Sequence, residues 1–128
     1  LESGRVMSCR CRALRGAITV EENSAEKIVQ ATRELLSQMV QANEVDTEDL
    51  VSIIFTLTKD LDAVFPAVAA RSFGWNQIPL LCCQEVEVPD SMPRCIRILM
   101  HINTEKTAQD LKHIYLRQAV DLRQDLVP

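Results

Sequence analysis

The chain has 128 residues, 47% of them hydrophobic and 25% charged, which suits one globular domain and favours neither overall disorder nor a fibrous repeat. The 14 basic against 18 acidic side chains leave a net charge of -4, and no basic run with interleaved aromatics offers a track for nucleic acid. No apolar run approaches the roughly 18 residues of a membrane span and the start lacks a secretory hydrophobic region, so a cytoplasmic protein is expected.

Residues 1–12 read as an N-terminal tag remnant or extension, with Leu1 to Arg5 ahead of a native start near Met7. Arg5, Ser8, Arg10 and Arg12 alternatively read as the end of a trimmed transit peptide. The folded domain is expected over 13–128. Ala13 to Val20 leans towards a strand through Ile18, Thr19 and Val20, and Asn23-Ser-Ala-Glu26 is a capping-box pattern that opens a helix. Ile28, Thr32, Leu35 and Met39 then recur at helical spacing, with Asn43 as the stop. Asp46 to Leu50 suits a short capped turn before Val51 to Thr58, a β-branched run that reads as a largely buried strand. A short helix is expected at Pro66 to Arg71 with Gly74 at its exit. Leu80 to Val88 and Cys95 to Ile102 read as strands joined by the turn-rich Pro89 to Pro93, compatible with a wide hairpin. Thr107-x-x-Asp110 suggests a last helix running to Ala119. The mix predicts an α/β (α+β) fold with a single mixed sheet and helices on one face. The other face of so small a sheet requires cover, which points to an oligomer.

Chemistry is sparse. Cys9, Cys11, Cys82, Cys83 and Cys95 form an odd set whose C-x-C and C-C spacings suit reduced thiols better than a disulfide framework. His101 and His113 lack the paired partners a zinc site needs, so no metal is expected. Neither cysteine of the Cys82-Cys83 pair has a recognisable partner base, no Gly-x-Ser-x-Gly elbow occurs, and three glycines make no phosphate loop. What remains is a set of arginines. Alternation over Cys95 to Ile102 places Ile96, Ile98, Met100 and Ile102 on one face and Arg97 on the other with Cys95, Leu99 and His101. Position alone allows a solvated strand arginine, but its apolar companions suggest a covered face, where an arginine needs an anionic partner. Glu85, Arg15 and Tyr115 are equally open to plain structural readings taken singly.

Taken together, Arg15-Gly-Ala, Ala63-Val-Phe-Pro-Ala67, Arg71, Gly74-Trp75, Pro79, Gln84-Glu85, Cys95-Ile-Arg97 and His113-x-Tyr115-Leu resemble the α/β-class monofunctional chorismate mutases. The likeness runs in order from about Arg15 to Leu126. It implies a ferredoxin-like, pseudo α/β-barrel homotrimer with active sites between subunits, converting chorismate to prephenate on the route to phenylalanine and tyrosine. That reaction is an intramolecular Claisen rearrangement and needs no nucleophile, metal or cofactor. By the same resemblance Arg97 and Glu85 are the catalytic pair, Arg97 at the ether oxygen and Glu85 at the ring hydroxyl. Arg15 and Tyr115 hold the carboxylate and enolpyruvyl groups, Phe65, Ala67 and Arg71 line the pocket, and Leu122 and Arg123 cover it. Leu81 stands where some members have threonine, which leaves only its backbone to contact substrate. Cys82 and Glu85 fall on opposite faces of a regular strand, so Cys82 reaches substrate only through a bend or its backbone. The alternatives are a trimeric regulatory module that binds a carboxylate ligand without turnover, and a trimeric imine or enamine deaminase.

Overall fold

The protein is described from a computed structural model covering residues 9–126; the expected remnant at Leu1 to Arg5 and the start near Met7 lie outside these residues. Strand β1 (Arg10–Thr19) leads into helix α1 (Ala25–Ala42), a 3-10 turn (Thr47–Asp49), strand β2 (Leu50–Leu57), helix α2 (Ala67–Ser72), strand β3 (Leu80–Gln84) and strand β4 (Cys95–Thr104). A second 3-10 turn (Ala108–Asp110), the short strand β5 (Ile114–Leu116) and a kinked 3-10 segment (Arg117–Leu126) follow. The strands make one mixed sheet in the order β3-β2-β4-β1-β5. β4 runs antiparallel to β1 and β2, while β3 and β5 lie parallel to β2 and β1 at the two edges.

Register explains the layers. Gly16 lies opposite Ile98 and Phe55 lies opposite Ile98 from the other side, so Leu14, Ile18, Ile53, Phe55, Ile96 and Met100 share one face and are fully buried beneath α1 and α2. The α1 stripe of Ile28, Ala31, Leu35, Leu36 and Met39 seals that face, each large side chain contributing about 1.5 to 3 kcal/mol by burial. Thr32 is buried among them because its hydroxyl donates to the Ile28 carbonyl at 2.7 Å. A β-carbon on Gly16 would lie 2.6 Å from the Met39 sulfur and 3.1 Å from Leu35, so glycine lets the helix settle onto β1. Gly74, at φ +82°, supplies the left-handed residue after α2.

Several expected boundaries shift for identifiable reasons. Ser24, one residue later than the capping box suggested, is the N-cap of α1 and accepts from the Lys27 N–H, because Asn23 is engaged with Asp62 and the Ala63 N–H. β1 starts at Arg10, with the Arg12 guanidinium donating to the Lys106 carbonyl at 2.9 Å. β2 is half-buried, not largely buried, since Ile54 and Thr56 face away from the helices. The expected hairpin between the third and fourth strands is absent: β2 stands between β3 and β4, and the strand expected to reach Val88 ends at Gln84. The intervening loop closes around the end of β2, where the Glu85 N–H donates to the Leu57 carbonyl and Asp60 accepts from the Arg94 N–H.

The expected last helix is also replaced. Thr107 does bond Asp110, but this opens only a 3-10 turn. Beyond it the Asn43 side chain grips the Lys112 peptide from both sides, donating to its carbonyl at 2.9 Å and accepting from its N–H at 2.7 Å. That engagement draws Ile114–Leu116 out along β1 and denies a helix its backbone groups. Asn43 is almost fully buried and also donates to the Met39 carbonyl at 2.8 Å. Asn43→Ala is expected to cost about 2 to 3 kcal/mol in urea unfolding and to speed amide exchange in 114–116, since it orphans several buried groups at once.

Candidate active site

The face of the sheet away from α1 carries the polar residues in cross-strand rows. One row runs Tyr115, Ala17, Arg97, Thr56 and Cys83; the next runs Arg15, Leu99, Ile54 and Leu81. Arg15, Ile54, Thr56, Glu85, Arg97, Leu99 and Tyr115 line a cavity of about 260 Å³ on this face. A broader depression of about 550 Å³ lies alongside, under the loop through Pro93, and Glu85 belongs to both.

Within the cavity the Arg97 Nε lies 3.5 Å from a Glu85 carboxylate oxygen, to which the Thr56 hydroxyl also donates. Arg97 is about half exposed and Glu85 about a quarter, so the pair is a solvent-accessible dipole whose mutual attraction is weakened by water. Each end keeps unused hydrogen-bonding capacity for a ligand. The face is therefore covered at one end only: Cys95 packs with Ala17 and Ala119 under the 3-10 segment, alongside Tyr115 and Leu122, whereas Leu99 stays exposed. Burial pushes the Cys95 thiol up from its ordinary value, and the neighbouring Arg97 guanidinium offsets part of that effect. The Arg15 N–H donates to Nδ1 of His113 at 2.9 Å. His113 is held below the ordinary histidine value first by burial and then by the Arg15 and Arg123 guanidiniums.

The remaining expected residues form a second group. Cys82 pairs across from Phe55 on the helix side, where burial raises its thiol while an Ala67 backbone hydrogen bond and the Arg71 guanidinium lower it. Ala67 is buried, Arg71 is exposed on α2, and Phe65 stands 68% exposed. Leu81 is 57% exposed on the other face of the same edge strand. Thus Arg15, Glu85, Arg97 and Tyr115 come together in one chain, while Phe65, Ala67, Arg71 and Cys82 collect around α2 and β3 outside that cavity.

The family profile described as chorismate mutase type I matches residues 11–126. The chain belongs to the chorismate mutase type I family. It is similar to a chorismate mutase, AroH, of Thermus thermophilus, 53% identical over 90% of this chain and 95% of that protein. It also matches a chorismate mutase, AroH, of Bacillus subtilis, 40% identical over 90% and 91% of the two chains. A solved chorismate mutase from Clostridium thermocellum superimposes with a TM-score of 0.83 at 51% identity, covering 84% of this chain and 96% of that one. The single mixed sheet with helices on one face is the fold expected from the sequence.

Thr56, which lines the cavity, and His113, which accepts from the Arg15 N–H beside it, had no role in the sequence reading. Thr56 was legible only as part of an apolar run, although the period-two pattern around the buried Ile53 and Phe55 sets it on the opposite face. His113 offered no signal beyond its place in the last motif, because its role depends on β5, which was expected to be helical. Thr56→Val should lower kcat/KM about tenfold by freeing the Glu85 carboxylate, a loss on the scale of one charge-assisted hydrogen bond; unchanged steady-state kinetics would remove Thr56 from the site.

Proposed function

We propose that the cavity holding Arg15, Glu85, Arg97 and Tyr115 is the active site of this isomerase, completed by a neighbouring copy in a homotrimer. The reaction of the family is the conversion of chorismate to prephenate in aromatic amino acid biosynthesis. The observation that carries the site is the meeting of those four side chains in one cavity on the helix-free face. A regulatory module or a deaminase is disfavoured by the family membership.

The rearrangement breaks the ether C–O bond and forms a C–C bond within one molecule, so no atom enters or leaves and no protein nucleophile is needed. Negative charge grows on the ether oxygen while the ring becomes electron-poor. Arg97 takes the first role: a planar guanidinium that donates both to the ether oxygen and to a substrate carboxylate. Glu85, already 3.5 Å from Arg97 and held by Thr56, accepts from the ring hydroxyl and sets negative charge beside the cationic ring. Arg15 and Tyr115 hold the carboxylate and enolpyruvyl groups, fixing the folded conformer and removing orientational cost. Because the Glu85–Arg97 dipole exists before substrate arrives, charge separation meets a preorganised field.

The homotrimer is supported by what one chain leaves open. Leu81, Leu99 and Phe65 are exposed apolar side chains, and the group at Phe65, Ala67, Arg71 and Cys82 lies outside the cavity. A neighbour's α2 edge laid on the helix-free face unites the two groups, brings Phe65, Ala67, Arg71 and the Leu81 and Cys82 backbone to substrate, and leaves Leu122 and Arg123 as cover. Exclusion of water there strengthens every charge interaction in the cavity. Among the described residues no helix is long and apolar enough to cross a membrane, and the five free cysteines fit a reducing cytoplasm.

Arg97→Ala should lower kcat by about 100-fold to 1,000-fold or more, and Arg97→Lys should recover little of it, as read from loss of chorismate absorbance. Full activity in Arg97→Ala would remove the central assignment. Mixing unfolded Arg97→Ala and Arg71→Ala chains and refolding them together should restore about a quarter of parental activity if each site is shared between two adjacent chains. A mixture no more active than its components would rule out the shared site.

A further inference from the structure

We propose that His113 is a positioning residue for Arg15, holding the backbone of that arginine so that its guanidinium is presented to the cavity. The register of β1 and β5 begins with Gly16 opposite Ile114, so His113 lies one step earlier, across from Arg15. There the imidazole Nδ1, in place of a strand carbonyl, accepts the Arg15 N–H at 2.9 Å. The histidine is itself fixed from behind, because the preceding peptide at Lys112 is clasped on both sides by the buried Asn43 at the end of α1. The chain of support therefore runs from helix to loop to imidazole to the backbone of a substrate-contacting arginine.

The hydrogen bond sets the protonation state. Nδ1 accepts only when it carries no proton, so the ring is neutral with its hydrogen on Nε2. The charged groups acting on the ring are Arg15 from β1 and Arg123 from the C-terminal segment, and both disfavour a third positive charge, in line with its lowered pKa. From α1 the uncharged Asn43 reaches the adjoining Lys112 backbone. The exposed Lys112 adjoins the ring in sequence and adds no acid that would stabilise an imidazolium. The neutral ring prevails above its folded pKa, which lies below the ordinary 6.5. Acidification through that value replaces the acceptor with a second donor, and the Arg15 contact is lost on the acid side only.

This inference rests on the reading of Arg15 as a substrate contact, and the test separates the two. Steady-state kinetics across pH are compared for the parent, Arg15→Ala, His113→Ala and His113→Asn. The asparagine Oδ1 reaches the same N–H but does not titrate near neutrality. His113→Ala should raise KM about tenfold with kcat changed less than about threefold, the size of one lost hydrogen bond expressed through binding. The parent should show an acid-side rise in KM, and His113→Asn should recover the KM and abolish that rise. An ¹⁵N spectrum of the parent should place the ring proton on Nε2. A purely structural role would lower thermal stability but leave the parent's pH profile in His113→Asn. The proposal is overturned by an unchanged KM in His113→Ala, by persistence of the acid-side rise in His113→Asn, or by a proton on Nδ1. Should His113→Ala fail to fold, the His113→Asn profile decides alone. Parental kinetics in Arg15→Ala would remove the reading of Arg15 and the inference with it, whereas an impaired Arg15→Ala beside a normal His113→Ala overturns the inference alone.

Discussion

The register of β4 between β1 and β2 is the constraint on which the rest depends. With Ala17 and Thr56 opposite Arg97, and Gly16 and Phe55 opposite Ile98, every second residue of three strands enters the core and every other one faces the site. A slip of one residue would bury Arg97 and expose Ile98, so the apolar core and the charged face enforce each other. Gly16 belongs to the same device. Its missing side chain lets Met39 and Leu35 press on β1, and its neighbours Arg15 and Ala17 take the opposite face. The alanine leaves room between Tyr115 and Arg97 in their shared row.

Electrostatics in the site run against the net charge of the chain. A protein at -4 attracts no anion at long range, so recognition relies on arginines acting over a few ångströms. In one chain Arg97 is half exposed and partly neutralised by Glu85. In the role proposed for it, its strength as a donor depends on removing water, because the same charge interaction is several times stronger in a site of lower dielectric. The Cys95 thiol beside it is neutral at physiological pH and adds no competing charge.

Legibility in the sequence followed the range of the interactions involved. The strand at Cys95–Thr104 and the stripe of α1 were readable because burial imposes a period of two or 3.6 on neighbouring residues. The face of Arg97 was readable for the same reason, and the motifs from Arg15 to Tyr115 named its companions. The region after Asp110 was not, because its shape is decided by Asn43, 69 residues away from Lys112, gripping a peptide whose own sequence is compatible with helix. The strand neighbours of β3 were equally hidden, since local sequence does not say that β2 stands between β3 and β4. The group at Phe65 and Arg71 was found by resemblance, and its place outside the cavity follows only from the three-dimensional arrangement.

The helix-free face serves two ends with one set of residues. Leu81, Leu99 and Ile54 supply the apolar area that a small sheet leaves without cover, and the row through Tyr115, Arg97 and Thr56 beside them belongs to the proposed site. An apolar contact laid over Leu99 is also a contact laid over the approach to Arg97, because the two are separated by one strand step on the same face. In the proposed homotrimer, assembly and activation are thereby the same physical event: the step that hides apolar surface is the step that lowers the dielectric around the Arg97–Glu85 pair. Substitutions that weaken the covering contact therefore act on the chemical step as well as on stability, even where they touch neither charge. The arrangement also explains why so little of the site is buried in one chain, since full burial of Arg97 and Glu85 without a neighbour would cost more in desolvation than their 3.5 Å contact returns.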